Sequence, residues 1–150
     1  MNEVKQRIGI VVGMALLAAG CGGGSAALKN GELRQTIEAP KSDGDYLEAM
    51  GIGAADANLA TSTQRKATSR NAAVVDAQYQ LVAKIKGVQV EGGITIEKAM
   101  ETNSRITASV NNMVQGAEVT KIEWANDDGC VATVRIHKGL LARELGLRPI

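Results

Sequence analysis

The sequence predicts an α+β fold, in which a small antiparallel sheet is packed by one long and one shorter helix and followed by a short C-terminal helix. Two stretches repeat apolar residues at helical spacing, and other stretches alternate their side chains as half-buried strands do. An Asp-Gly turn signal joins the last two strands. Because strands joined by a tight turn pair antiparallel, the sheet is expected to be antiparallel, with helices and hairpins in separate blocks.

The first strand and the long helix are predicted in the first half of the domain. Residues 46–52 alternate two sets of side chains: Tyr46, Glu48, Met50 and Ile52 against Leu47, Ala49 and Gly51. From about residue 58 to Lys86 the pattern is helical, with an apolar stripe at Val74, Ala77, Leu81 and Ile85. Gly87 is expected to end this helix, because glycine adopts the left-handed conformation that often follows a last helical turn.

The middle of the domain is predicted as two short strands followed by the shorter helix. Residues 88–96 (VQVEGGITI) are expected to form a strand, a glycine kink and a second strand. The shorter helix is expected to begin at Glu97 or at Ser104 and to run to Gln115, before Gly116. Its apolar side carries Ile106, Val110, Met113 and Val114.

A hairpin and a short helix complete the predicted domain. Residues 117–124 form a strand in which Val119 and Ile122 differ in parity, and this difference indicates a bulge. The turn at residues 126–129 contains Asp-Gly, which supplies the positive φ angles of a tight hairpin. The return strand alternates two sets of residues, inward Cys130, Ala132, Val134 and Ile136 and outward Val131, Thr133, Arg135 and His137. Residues 140–147 are predicted to be helical, stopped by Gly146 and Pro149.

The N-terminus has the anatomy of an export signal. Lys5 and Arg7 precede an apolar run over residues 8–20, which as a helix spans only about 20 Å, too short for a hydrocarbon core of about 30 Å. The run ends in Ala18-Ala19-Gly20-Cys21, which resembles the bacterial lipobox with Ala18 where leucine is commoner. This predicts cleavage before Cys21 and attachment of lipid to its sulfur. An ordinary signal peptide with a chance cysteine and a hydrophobic core helix are the alternatives.

The chain is thus divided into a signal peptide at residues 1–20, a flexible tether at 21–44 and an α+β domain at 45–150. Cleavage would remove Lys5, Arg7 and Glu3, which leaves 15 basic and 15 acidic residues from the 17 and 16 of the whole chain. A neutral chain with three aromatic residues has little with which to bind nucleic acid. The expected membrane attachment therefore depends on the acyl chains of Cys21.

The residues that most often carry chemistry have simpler explanations in this sequence. Cys130 lacks an intramolecular partner once Cys21 is acylated and is expected to be a buried apolar residue, with an intermolecular disulfide as the alternative. His137, the only histidine, is expected to be exposed. Asp127 and Asp128 lack the further acids of a calcium loop and are expected to shape the turn. No catalytic residue, metal site or cofactor is predicted, and the chain is not expected to be an enzyme.

Several segments together resemble one protein family over about residues 45–138 and the lipobox. They are DYLEAMGIGAAD, NAAVVDAQYQLVAKIKGVQV, ITIEKA, ITASVNNMVQGAEVTKIEW and NDDGCVATVRI. The chain resembles the small outer-membrane lipoprotein family of the Lpp-twenty type, which includes the flagellar FlgP proteins. The resemblance implies a non-enzymatic envelope protein, and in the FlgP branch a subunit that oligomerises into rings or disks around the flagellar motor.

The expected function is therefore a structural or assembly role in the cell envelope, with a homo-oligomer as the working form. Gly22 differs from the aspartate associated with inner-membrane retention, so the outer membrane is the expected location. The alternative is a monomeric periplasmic module that binds peptidoglycan or a protein partner. A flagellar role and a general envelope role both remain open at this point.

Overall fold

The computed structural model describes residues 28–33, 44–90 and 92–146. These residues form β1 (Leu28–Lys29), β2 (Glu32–Leu33), β3 (Tyr46–Gly53), α1 (Ser62–Lys86), α2 (Ile96–Thr102), α3 (Ser104–Gln115), β4 (Glu118–Trp124), β5 (Cys130–His137) and α4 (Lys138–Glu144). The predicted α+β fold, with its antiparallel sheet and short C-terminal helix, is confirmed. The predicted signal peptide and Cys21 lie outside the described residues.

The main sheet has three antiparallel strands in the order β3-β5-β4, so β5 lies in the middle. β3 pairs with β5 from Tyr46 opposite His137 to Gly53 opposite Cys130. β4 pairs with β5 on the other side, and its register shifts between Val119 and Lys121. This shift is the bulge that the parity of the apolar residues predicted.

One face of the sheet is covered by α1. The helix buries a row of residues four apart, which keeps them on one side: Ser69, Ala73, Ala77, Leu81 and Ile85. The row packs on the inward residues of β5, all of which are buried as predicted, and on Leu47 and Ala49 of β3. The helix lies unusually close to β3, because a Cβ built on Gly51 would come within 2.0 Å of the Ala77 nitrogen.

Helix α1 begins at Ser62, four residues after the predicted start at residue 58. Thr61 accepts a hydrogen bond from the Gln64 amide, and the Gln64 side chain accepts one from the Thr61 amide. This capping box fixes the helix start, and it explains why the helix begins later than its apolar pattern predicted. Gly87 ends the helix as predicted, but at φ −75° rather than in the left-handed region.

The single shorter helix that was predicted is divided into two helices in the structure, α2 and α3. Thr95 caps α2, and Asn103 lies between α2 and α3, where its side chain accepts a hydrogen bond from the Arg105 amide. Both proposed starting points, Glu97 and Ser104, therefore lie at the beginning of a helix. The two helices and α4 complete the main core with buried apolar residues: Ile96, Val110, Val114, Leu141 and Leu145.

The prediction of two strands over residues 88–96 is wrong. The segment forms a tight turn with a single bridge between Gln89 and Thr95. Gly92 and Gly93 have φ angles of +95° and +75°, so the glycine kink is present, but it reverses the chain at once. Ile96 is buried as the first residue of α2, because Thr95 ends the extended segment by capping that helix.

Part of the predicted tether is folded. Residues 28–33 form the β1–β2 hairpin, with Asn30 and Gly31 at φ +55° and +79° in its turn. The Asn126 amide donates to the Gly31 carbonyl at 2.9 Å, and the Asn126 side chain donates to the Asn30 carbonyl at 3.0 Å. Asn-Gly is a strong hairpin signal, and these bonds attach the hairpin to the β4–β5 turn.

The outward residues of the central strand are less exposed than predicted. Val131 is 2% exposed and Thr133 is 8% exposed, although both lie on the face that α1 does not cover. Each lies between side chains of the two neighbouring strands, since Ile52 and Glu123 flank Val131. A residue in the middle of a sheet can thus be buried without a second layer of helices.

Candidate functional site

The residue on which the anchor prediction depends, Cys21, lies outside the part of the chain that the structure describes. Within the described part, no helix is long and apolar enough to span a bilayer. The same part of the chain brings no three histidine, cysteine or acidic side chains together in the way that a metal ion requires. The positions of the other singled-out residues show what each of them does.

Cys130 belongs to a small buried cluster. Its side chain packs with Ala73 and Ala132, and Val74 and Ile122 close the cluster from the sides. Burial raises the pKa of the Cys130 thiol, and the charge of Arg70 opposes this shift. Because the thiolate is the reactive form, a buried thiol with a raised pKa is a weak nucleophile. The prediction that Cys130 is buried is confirmed.

His137 is exposed, as predicted, and caps the last helix. It is the N-cap residue of α4, and its Nδ1 accepts a hydrogen bond from the Gly139 amide at 2.9 Å. The Tyr46 ring meets the imidazole edge-on, with 5.0 Å between the ring centroids. One of the two imidazole nitrogens, Nδ1, is thus engaged in capping.

Asp128 shapes the β4–β5 turn, and it also binds α1. It has φ +66°, whereas the sequence analysis assigned positive φ to the Asp-Gly pair, and Gly129 does not share it. The Asp128 carboxylate accepts hydrogen bonds from Ser62 Oγ and Arg65 Nε, both at 2.8 Å. Its carbonyl accepts a hydrogen bond from Ser69 Oγ at 2.7 Å. The Asp128 side chain is therefore a structural tie between the hairpin and the start of α1.

These bonds also set the acidity of Asp128. The hydrogen bond from Ser62 is the largest cause, and with that from Arg65 it holds the pKa of the Asp128 carboxyl below its usual range, while desolvation acts in the opposite direction. Lys66 adds a longer ion pair at 3.7 Å. No sequence spacing links residue 128 to residues 62–69, so this network could not be predicted from local patterns. The sequence does show that the first half of α1 is basic and that its first turn contains no acid. This pattern indicates that an acid from another part of the chain could pair with it.

The outer edge of β3 is obstructed by side chains of α1. The Ile52 amide, which points away from β5, donates to Asp76 Oδ2 at 2.9 Å. Farther along the strand, Lys84 Nζ donates to the carbonyl oxygen of Glu48. Both are among the backbone groups that an added strand would use. Pairing of β3 with a further strand would therefore break two bonds that hold the helix in place.

The outer edge of β4 is irregular and charged. The bulge between Val119 and Lys121 interrupts its pleat. Lys121 pairs with Glu123 at 3.3 Å, and Arg135 of β5 pairs with Glu118 at 2.9 Å. Bulges and lysines are features that protect edge strands from pairing. Neither edge of the main sheet therefore offers a regular template for strand addition.

Two open grooves lie on the surface of the described residues. The larger, of about 410 Å³, lies beside the β1–β2 hairpin and is lined by backbone and by Ile52, Val131, Asn126 and Asp127. Its polar side chains are those of Glu32, Asn126 and Asp127. The last two already bind within the fold, Asn126 to the hairpin and Asp127 to the Gly129 amide. The smaller, of about 330 Å³, lies between α3 and α4. Neither groove gathers an acid and a base that would indicate catalysis.

The surface of α1 that faces away from the sheet carries a second apolar stripe. We define the outer stripe as Ala72, Val75, Tyr79 and Ala83, which are spaced three, four and four residues apart. Tyr79 is 72% exposed and Val75 is 51% exposed. This stripe is not evident in the sequence, because the same alanine-rich run also supplies the buried face and the two patterns overlap.

Comparisons with known proteins do not identify a family for this chain. No protein-family model, no curated protein and no solved structure matches this chain.

Proposed function

We propose that the chain is a non-enzymatic lipoprotein of the outer membrane that acts as a structural subunit and assembles with copies of itself. The observation that carries this proposal is the lipobox ending at Cys21, which precedes a small folded domain. Lipid attachment would hold many copies of the domain at one surface, where even a weak contact between copies is favoured by their high local concentration.

A non-catalytic role is supported by the structural roles of the side chains that could otherwise react. Cys130 is part of the core, His137 caps α4 and Asp128 ties the hairpin to α1. Each of these groups is engaged in holding the domain together. An exposed apolar stripe on the longest helix is the kind of surface that contacts between proteins use.

The family that the chain resembles includes the FlgP branch, and in its flagellar form the proposal is a ring or disk around the flagellar motor. A head-to-tail contact closes into a ring when its rotation is a simple fraction of a full turn. The second candidate is a periplasmic binding module, and the groove of about 410 Å³ favours it, since ligand pockets have volumes of this order. Saturable binding of one ligand by a monomer would support that candidate instead.

The anchor is tested by metabolic labelling with palmitate and by fractionation of membranes. We expect the wild type to be labelled and to sediment with the outer membrane, and Cys21→Ala to lose both properties. Cys130→Ala is the matched control, because it removes the other cysteine and is expected to keep the label. Labelling that survives Cys21→Ala would contradict the anchor.

Assembly is tested by cross-linking lysines in intact membranes. The exposed amines of Lys98 and Lys121 are available to such a reagent. We expect a ladder of oligomers from the wild type and monomers from Cys21→Ala at the same expression level. A wild type that stays monomeric in membranes would contradict the assembly role and would favour the binding module.

The flagellar form of the proposal is tested by swimming. A deletion strain is expected to make filaments but to swim poorly, and wild type but not Cys21→Ala is expected to restore swimming. Normal swimming of the deletion strain would exclude the flagellar form and would leave a general envelope role.

A further inference from the structure

We propose that the end of the domain formed by the β4–β5 turn faces the lipid headgroups, and that the β1–β2 hairpin holds it there. The inference rests on the proposed function, because it requires the lipid anchor at Cys21. It goes further by naming the surface of the domain that meets the membrane. Two observations lead to it: the place at which the chain first attaches to the domain, and the side chains that lie there.

The main sheet has two ends, which are separated by the length of β3. At one end Gly53 pairs with Cys130, next to the β4–β5 turn of residues 125–129, and the start of α1 is bonded to the same turn. We call this the turn end. At the other end Tyr46 pairs with His137, beside α4, and we call this the α4 end. The 8 residues of β3, at about 3.3 Å each, place the two ends roughly 25 Å apart.

The hairpin changes the end at which the chain first attaches to the domain. The carbonyls of the hairpin turn accept hydrogen bonds from Asn126, which belongs to the turn end. Without these bonds the chain would join the domain at Asp45, whose carbonyl accepts a hydrogen bond from the Lys138 amide at the α4 end, at 2.8 Å. The docked hairpin therefore moves the point of attachment from one end of the sheet to the other.

The length of the chain between anchor and hairpin limits where the turn end can be. Only 7 residue steps separate Cys21 from Leu28, and at about 3.5 Å per step they reach no farther than roughly 25 Å. From Cys21 to Gly44 the 23 steps would reach roughly 80 Å. The 11 steps from Leu33 to Gly44 reach roughly 38 Å, which is enough to return along β3 to the α4 end. The turn end is thus held near the bilayer, and the α4 end can lie farther out.

The turn end carries side chains that suit a headgroup layer. Trp124, the only tryptophan of the chain, is the last residue of β4 and is 37% exposed. Lys66 Nζ lies 5.6 Å from the centroid of its ring, and Arg70 is exposed one helical turn farther along α1. Tryptophan is enriched at the boundary between headgroups and acyl chains, and lysine there keeps its ammonium group in water. This pair of side chains therefore fits the surface that the short tether brings close.

The contact depends on the tether more than on charge. Arg65 and Lys66 both pair with Asp128, and Asp127 adds a second acid to the same turn. Because these acids offset the bases, attraction of the turn end to anionic lipid is weak. The acyl chains of Cys21 supply the binding to the membrane, and the hairpin decides which end of the domain is turned toward it.

Fluorescence of the single tryptophan tests which end faces the membrane. Full-length acylated protein is placed in vesicles of phosphatidylethanolamine and phosphatidylglycerol that contain a lipid with a nitroxide quencher on its headgroup. We expect Trp124 to be strongly quenched. The matched probe is Leu140→Trp combined with Trp124→Phe, because Leu140 lies at the α4 end and is exposed to a similar extent, 40% against 37%. This probe is expected to be quenched several-fold less.

Release of the hairpin tests its role. Gly31 has φ +79° in the hairpin turn, whereas proline is fixed at about −65°, so Gly31→Pro is expected to undo the turn and its bonds to Asn126. The quenching of Trp124 should then fall, and that of the Leu140→Trp probe should rise. Unfolding would not move the two probes in opposite directions. Asn30→Gly is the matched control, since glycine accepts the φ of +55° at this position, and it should keep the wild-type pattern.

The outcomes separate this inference from the proposed function. If the wild type binds the vesicles but both probes are quenched alike, or the Leu140→Trp probe more, the anchor stands and the orientation is wrong. If Gly31→Pro leaves the quenching of both probes unchanged, the hairpin does not set the orientation and the inference fails as well. If the wild type binds the vesicles no better than Cys21→Ala, the anchor is wrong, and with it the proposed function.

Discussion

The close approach of α1 to β3 predicts that Gly51→Ala strongly destabilises the domain. A Cβ at this position would lie 2.0 Å from the Ala77 nitrogen and 2.3 Å from the Ala73 carbonyl oxygen. Ordinary contact begins at 3.4 Å, so the helix would have to retreat by about 1.4 Å. The obstructing atoms are backbone, which cannot turn aside as a side chain can. Overpacking usually costs about 1–3 kcal/mol of stability. Because the backbone cannot move aside, we expect a cost at or above the upper end of this range.

We therefore expect Gly51→Ala to lose about 3 kcal/mol or more of the free energy of unfolding. For a domain of this size the Tm would fall by at least about 12 °C. The assay is urea and thermal unfolding followed by far-UV circular dichroism. Gly116→Ala is the matched control, because its added carbon meets only ordinary contacts, the nearest at 3.5 Å. It should stay within about 1 kcal/mol of the wild type. A Gly51→Ala variant as stable as this control would refute the close packing of helix on strand.

Three further changes probe the helix start, the core and the Asp128 tie. Thr61→Ala removes the capping box with Gln64 and should cost about 1 kcal/mol in urea unfolding, and a cost near zero would contradict the role of the cap. Leu81→Ala empties a fully buried position and should cost about 3–5 kcal/mol by the same measurement; a cost below about 1 kcal/mol would mean that the site is not in the core. Asp128→Asn should lower the Tm at neutral pH. Since the fold lowers the pKa of this carboxyl from its ordinary 3.8, the stabilisation is complete above that value and is lost as the pH falls below it, so the Tm curves of wild type and variant should converge in acid. A Tm difference that does not change with pH would show that the charge of Asp128 is not what matters.

Local patterns in the sequence were sufficient to predict most of the helices and strands. The alternation in β3, the inward residues of β5 and the parity change in β4 each depend on residues close together in the chain, and the structure confirms them. The predicted stripe of α1 is confirmed at Ala77, Leu81 and Ile85, whereas Ala73 rather than Val74 lies in the buried row. The failure at residues 88–96 has a local cause as well. Thr95 can cap a helix or continue a strand, and in the structure it caps α2. Periodicity alone does not separate these alternatives in so short a segment.

The contacts between distant residues could not be predicted in this way. The bond of Asn126 to the β1–β2 hairpin joins segments more than 90 residues apart, and the tie of Arg65 to Asp128 joins residues 63 apart. The burial of Val131 and Thr133 depends on which strand lies in the middle, and the alternation of one strand does not reveal this. The outer stripe was hidden because alanine suits both faces of α1.

The strand order β3-β5-β4 also bears on the moment at which the domain can fold. β3 and β4 are hydrogen-bonded to β5 and not to each other, so the sheet has no partial form before β5 is present. Pairing Tyr46 with His137 closes a loop of roughly 90 residues, and contacts this distant in sequence form slowly. Under the proposed export, in which the N-terminus would cross the membrane first, the three-stranded sheet would be completed only after β5 has crossed.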